Sequence, residues 1–395
     1  MAQSWTTGAT SHQGSLTRPL SSRFRAVPFD GHLVLIRDGR EVILLNETGR
    51  LLWEAIAEGA TSAGLVRGIA ERFDLPPERV RGDVEAALAD WHARGLMEQE
   101  LPGQPSPPGP RVPSRTPPGD FALDHVYALC GHPVRFRFQD LDVASLFCPL
   151  LSPSEASGAV ASEVIDLYRD GTDHVIAANG TEIGRCRSAE EMLELALGRV
   201  LEVSYPSARW LAMFHAGVVA DDHHAIVLPG ASGNGKSTLT AALVHTGFRY
   251  LSDDVAPLDG RTLHVMPVPF AVSLKQGSWQ VVAPWFPDLE RVPTLSDGRR
   301  ERRYLDMSTR GNAGAGAPVR ALVFPEHRSS GPTRMERIRP GEALGSLLQA
   351  GGWLSLDRED LSGTLGWLMT TPAYTLTFSS ADEACALVAG LASRA

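Results

Sequence analysis

Residues 101–119, LPGQPSPPGPRVPSRTPPG, place eight prolines in nineteen positions. Proline fixes φ and has no N–H to donate, so this run suits neither helix nor sheet and reads as an extended linker. It forces a chain of 395 residues into separate bodies, at 23–100 and 120–395. The polar residues 1–22 read as a disordered N-terminus. Within the larger body, 120–213 reads as a mixed region leading into a core at 214–395. No internal repeat is visible.

Charge then narrows the function classes. The formal net charge is −9, which argues against a general binder of nucleic acid or of anionic membranes. The four cysteines, Cys130, Cys148, Cys186 and Cys385, are far apart and form no CxxC, so neither a zinc knuckle nor a disulfide framework is encoded. The first 22 residues lack an apolar run that would serve as a signal peptide, and no stretch approaches the length of a membrane span. A soluble protein of the reducing cytoplasm is expected. Of 37 basic residues only Lys236 and Lys275 are lysine, which makes each of the two worth locating.

The smaller body reads as a compact α+β module. HLVLIR (His32–Arg37) and EVILL (Glu41–Leu45) flank Asp38-Gly39, a pair that suits a tight hairpin. Apolar spacing then predicts three amphipathic helices. Leu52 and Ile56 mark the first, Leu65, Ile69 and Phe73 the second, and Val80, Val84, Leu88 and Trp91 the third, which Gly95 ends. A short strand at Leu96–Glu98 completes a winged-helix-like unit. Ten arginines against fourteen acids between Arg23 and Glu100 suit phosphate poorly. A free sheet edge offers another use, the addition of an extended peptide as an extra strand.

The pattern HLVLIRDGREVILLNETGRLLWEAIAEG, followed by DVEAALADWHARGLM, resembles the PqqD-like domains. The LLN turn at Leu44–Trp53, the helix end at Ile56–Gly59 and Asp83-Val84 opening the last helix carry the likeness. It implies a recognition element that holds the leader of a ribosomally made precursor peptide. The competing reading is a structural appendage with no ligand.

The larger body contains GASGNGKS (Gly230–Ser237), which satisfies G-x-x-x-x-G-K-[ST]. The apolar strand AIVLP (Ala225–Pro229) precedes it and the helical KSTLTAALVHT (Lys236–Thr246) follows. Gly230, Ala231, Ser232, Gly233, Asn234, Gly235, Lys236, Ser237 and Thr238 would form a nucleotide-binding loop whose N–H groups converge on phosphate at a helix N-terminus. Lys236 would reach the outer phosphates and Ser237 would ligate Mg²⁺. The next strand, FRYLSDD (Phe248–Asp254), ends in two carboxylates, one placed to support a metal and the other to act as a base. Upstream, FHAGVVA (Phe214–Ala220) reads as a strand carrying His215. The fold class is therefore α/β, a compact P-loop domain with a mixed sheet behind a small α+β unit.

His215 in HAGV, the loop Gly230–Thr238 and Ser252-Asp253-Asp254 together resemble the HPr kinase/phosphorylase-like family, including its peptide-tailoring branch. The resemblance implies Mg²⁺ and ATP as cofactors and a protein or peptide hydroxyl as acceptor. It also implies Asp254 as base, Asp253 as metal support, and His215 orienting carboxylate and phosphate. Where the family carries a glutamate–arginine signature, PFAVSLKQGSW (Pro269–Trp279) has Ser273, Leu274 and Lys275. The resemblance therefore does not extend to that signature, and a phosphorylase reaction and a second metal stay open. Lys275 is a candidate phosphate or acceptor contact. The basic run GRRERRYLDM (Gly298–Met307) reads as a solvated loop or a lid, with Arg303 the arginine expected in the site if one enters it. Asp221-Asp222-His223-His224 reads as a hairpin turn, since consecutive residues cannot all face one ion.

The combined expectation is a kinase that phosphorylates a Ser or Thr of a precursor peptide held by residues 23–100. A small-molecule kinase and a nucleotide-dependent delivery protein without kinase activity are the alternatives. No nucleic-acid or membrane partner is expected, and the oligomeric state stays open, a homo-oligomer included.

Overall fold

A computed structural model describes residues 23–97, 119–296, 301–310 and 316–392. The expected N-terminal tail and all but the last residue of the proline segment lie outside the described residues. The chain falls into two compact units, Met1–Arg111 and Val112–Ala395. No helix among the described residues is long and apolar enough to cross a membrane.

The first unit opens with an antiparallel sheet in the order β1 (Phe24–Phe29), β2 (His32–Arg37), β3 (Glu41–Leu45). Sequence patterning misses β1. It joins β2 through a second Asp-Gly turn, Asp30-Gly31, with φ of 44° and 80°. Its Pro28 disguises it, because proline is tolerated in a strand mainly at a sheet edge, which is where β1 lies. Three helices follow, α1 (Glu47–Ala57), α2 (Ser62–Phe73) and α3 (Pro77–Ala93). The side chains of Asn46 and Thr61 cap the first two by accepting from the N–H groups of Gly49 and Gly64. Leu52, Ile56, Leu65, Ile69 and all four marker residues of α3 join one core with the sheet, where Trp53 meets Phe24 and Trp91 edge-on. Phe73 is the exception, exposed near the helix end. The strand expected at Leu96–Glu98 reduces to a bridge at Met97, and Glu98 lies outside the described residues.

The second unit begins with a five-stranded sheet in chain order. Its elements are β4 (Leu123–Leu129), β5 (His132–Phe138), α4 (Leu141–Leu151), β6 (Glu163–Asp170), β7 (Asp173–Ala178), β8 (Thr181–Cys186) and α5 (Ala189–Ser204). Phe136, Phe138 and Ile165 of the sheet pack with Phe147 of α4 and Met192 of α5 in one core. Val268 and Phe270, from far along the chain, complete that core.

A ten-stranded sheet follows. It uses β9 (Trp210–Phe214), β10 (Ala216–Ala220), β11 (Ala225–Pro229), then α6 (Lys236–His245), β12 (Arg249–Ser252), β13 (Ala256–Asp259) and β14 (His264–Val265). A side sheet comes next, with β15 (Val272–Lys275), α7 (Gln276–Val282), β16 (Leu295–Ser296) and β17 (Glu301–Leu305). The chain closes with β18 (Ala317–His327), β19 (Arg334–Ile338), α8 (Pro340–Gln349), β20 (Trp353–Leu354), α9 (Arg358–Thr370), β21 (Ala373–Phe378) and α10 (Ala381–Ala392).

The large sheet has two wings that share the long strand β18. One wing runs β12-β10-β11-β18-β21-β19 and the other β18-β14-β13-β9-β20. In the first wing β11, β18 and β21 are parallel, and β10 is antiparallel to both β11 and β12. Hence β12, β11, β18 and β21 all point their C-terminal ends to one rim. In open α/β sheets that rim is where ligands bind.

Two expectations are corrected. Phe214–Ala220 is not one strand, because the chain breaks at His215 as it passes from β9 in one wing to β10 in the other. Residues 301–305 of the basic run form β17 and not a loop, held in register with β15, whose Val272 and Leu274 bury in a core with Leu239 and Leu243 of α6; residues 298–300 lie outside the described residues.

Candidate functional site

The two wings meet at a seam that the chain crosses twice. It crosses once at His215, between β9 and β10, and once at Asp253-Asp254, between β12 and β13. Pairing of Phe214 with Ala256 on one side and of Val218 with Ser252 on the other brings the crossings together. Asp254 takes a left-handed backbone, φ 71°, to make its crossing. A side chain at positive φ is uncommon, and such residues gather where surrounding structure holds them for a purpose. The His215 Nε2 lies 3.5 Å from Asp254 Oδ1, with the two side chains 37% and 36% exposed.

The loop from Gly230 to Gly235 leaves β11 beside this seam. Its first N–H, that of Gly230, donates to the His215 carbonyl at 3.3 Å, which ties the loop to the crossing. Gly235 precedes α6 at φ 85°, and a Cβ there would stand 3.0 Å from both His327 and Phe378. The loop can therefore close only with glycine at that position. Helix α6 is buried on nearly every side, so its N-terminus is a fixed source of N–H donors facing the rim. Its first residue, Lys236, is 5% exposed and donates from Nζ to Asp254 Oδ1 at 2.7 Å.

One layer deeper, Ser237 Oγ donates to Asp253 Oδ2 at 2.9 Å. Asp253 is 1% exposed, and its other oxygen, Oδ1, is buried without a hydrogen-bond partner among the described residues. Burial, then the negative charge of Asp254, pushes the Asp253 carboxyl well above the usual range. Asp254 behaves oppositely. Burial pushes it upward, but the charge and hydrogen bond of Lys236, with His215 and Arg302 behind them, hold it below its usual value. Burial, then the Lys236 charge, lowers His215, so its imidazole is neutral near pH 7. An orphaned carboxylate oxygen beside a serine hydroxyl is the donor set a hard divalent cation prefers. Ser237 and Asp253 could hold Mg²⁺, and a cation there would relieve the burial of that charge.

The opposite wall comes from the side sheet. Lys275 sits across from Arg302 in the β15–β17 pairing, and both line the cleft. Lys275 Nζ donates to Ser232 Oγ in the loop. Arg303 is not in the cleft. On the other face of β17 it stacks over Trp279 at 4.2 Å and donates to the Leu289 carbonyl at 3.1 Å. Because strand side chains alternate faces, the arginine that enters is its neighbour Arg302. The resulting cleft holds about 620 Å³ and runs from His215 and Asp254, past the loop, to His327, Phe378 and Ser379. Sequence reading did not flag Arg302, His327, Phe378 or Ser379. The available signal for the last three was strand polarity, since each stands at the C-terminal end of a strand parallel to β11.

Asp221–His224 forms the turn between β10 and β11, at the other end of these strands. Asp221 Oδ1 accepts from the N–H groups of His223 and His224, both at 2.7 Å. No group of three or more acids, histidines or cysteines among the described residues could hold a metal.

Residues 31–97 match the family model of coenzyme PQQ synthesis protein D (PqqD). The match takes in β2, β3 and the three helices of the first unit, which is thus a PqqD-like domain. No curated protein sequence matches the chain. Among solved structures, the Hpr(Ser) kinase/phosphatase from Coxiella burnetii is similar over 46% of this chain and 93% of its own, with 16% identity and a TM-score of 0.22. A superposition that loose says nothing about activity.

Proposed function

We propose that the chain is an ATP-dependent kinase that phosphorylates a Ser or Thr hydroxyl of a ribosomally synthesised precursor peptide. The observation that carries this reading is the convergence, at one seam, of Lys236, Asp254 and His215 over the Ser237–Asp253 pair. Phosphoryl transfer needs mainly positioning and charge neutralisation, and these residues supply both. The loop N–H groups and Lys236 cradle the phosphates. When bound at Ser237 and Asp253, Mg²⁺ neutralises charge on the outer phosphates. The acceptor oxygen bonds to the γ-phosphorus as the bond to ADP breaks, and its proton passes to Asp254. Neutral His215, 3.5 Å from that carboxylate, fixes its orientation. Lys236 leaves Asp254 for the incoming phosphate, which frees the carboxylate to act as base.

The PqqD-like unit supports a peptide as the acceptor. Its sheet has β1 and β3 as outer strands, and Pro28 leaves β1 one donor short. β3 is the better edge for adding a leader strand. Binding the leader there would raise the concentration of the acceptor at the second unit. Incubation of the full chain with Mg²⁺, ATP and the peptide encoded beside its gene should add one phosphate mass to the peptide. ATP hydrolysis with no change in any neighbouring peptide would overturn the reading in favour of a delivery protein. Phosphorylation independent of the leader would point to a small-molecule kinase.

A further inference from the structure

The phosphate end of the cleft is marked by charge. At that end stand Lys236, Asp254, Lys275 and Arg302. The cleft continues past Gly235 to a different chemistry, lined by His327, Phe378, Ser379 and Ala381. Apart from one imidazole, no ionisable side chain among the described residues lines that end. His327 closes β18 and Phe378 closes β21, the two strands that continue the parallel set from β11. Their ends therefore stand beside the loop on the ligand-binding rim, on the side away from the seam.

Three contacts make this a built platform. The His327 N–H donates to the Asn234 carbonyl at 3.2 Å, which locks the end of β18 to the loop. The imidazole of His327 meets the Phe378 ring edge-on, with centroids 5.4 Å apart. Phe378 is buried in the core at 2% exposure, so it holds the imidazole from behind, while His327 itself is exposed. Gly235 lies directly against both, with no room for a side chain between loop and platform. A flat, uncharged, π-bearing group tethered to phosphates in the loop is what such a surface accepts.

We infer that His327, backed by Phe378, is the stacking platform for the nucleobase of the bound nucleotide, with Ser379 at its rim. This deepens the kinase reading and rests on it. The platform commits the cleft to a nucleoside triphosphate in preference to a bare polyphosphate, and it fixes the direction of binding, base at β18 and β21 and γ-phosphate at the seam.

Calorimetric titration of the full chain with Mg²⁺–ATP and, separately, with Mg²⁺–tripolyphosphate separates the outcomes. His327→Ala should weaken ATP about tenfold, within the range for loss of one base–aromatic stack, and leave tripolyphosphate unchanged. His327→Phe should restore most of the ATP affinity, because it restores the flat face. Equal weakening of both ligands, or of neither, overturns the platform while leaving the phosphate loop intact. If the unaltered chain binds neither ligand, the kinase reading falls and the platform with it.

Discussion

Two clusters in the same sheet draw on the same residue types and come to opposite ends. Asp221, Asp222, His223 and His224 are contiguous, and they fold into a turn that satisfies itself. Against the upward push of partial burial, the two N–H groups donated to Asp221 hold its carboxyl below the usual range. His215 stands 38 residues before the pair Asp253-Asp254, yet they meet where the chain changes wings. There side chains meet the acids, Lys236 at Asp254 and Ser237 at Asp253. Placement at a strand's C-terminal rim, and not composition, separates the cluster that lines the cleft from the turn that satisfies itself.

The contrast breaks most sharply at Asp254. Replacing it with asparagine should lower phosphoryl transfer by about 10²–10⁴-fold while ATP still binds, as expected for loss of a positioned base. The matched change Asp221→Asn should leave turnover within about twofold. Paired kinetic and binding measurements on the two variants check this, and equal effects would erase the distinction. Next in size is Lys236→Arg, which should weaken ATP binding about a hundredfold, nearly as much as Lys236→Ala. A planar guanidinium cannot enter the space that a 5%-exposed ammonium fills.

Smaller effects test the scaffold on each side of the comparison. A Cβ on Gly217 would stand 2.2 Å from Thr240 Oγ1, so β10 can lie against α6 only without a side chain there. Gly217→Ala should cost about 1–3 kcal/mol of stability, and adding Thr240→Ala should recover part of it in thermal unfolding. Asp221→Ala should cost only about 1 kcal/mol, the value of its lost turn hydrogen bonds, with no change in turnover. A larger loss of activity than of stability at Asp221 would mean that the turn is not inert after all.

Much of the site was legible because its signals are local. A glycine-rich loop between an apolar strand and a helix announces itself, as does an apolar strand ending in Asp253-Asp254. What stayed hidden depends on long-range pairing. The break at His215 is invisible in FHAGVVA, where every residue but His215 suits a buried strand, because the cause is a change of partner strands. The choice of Arg302 over Arg303 turns on which face of β17 meets the cleft, and that register is set by β15, some thirty residues earlier. In the first unit, β1 escaped because Pro28 obscures its pattern. In the second, β4, β5, α4 and β8 escaped although their strand partners are mostly neighbours in sequence; only the part of their core made by Val268 and Phe270 lies far along the chain.

The left-handed backbone at Asp254 restricts what can replace that residue. Only glycine, asparagine and aspartate visit this conformation at little cost, whereas a β-branched or long side chain would strain the crossing itself. The seam thus admits a narrow alphabet, and of its three letters only aspartate can take a proton from an acceptor. A glutamate variant, although it keeps the charge, would report on backbone geometry as much as on acidity. Asparagine alters the chemistry and leaves the shape of the chain alone.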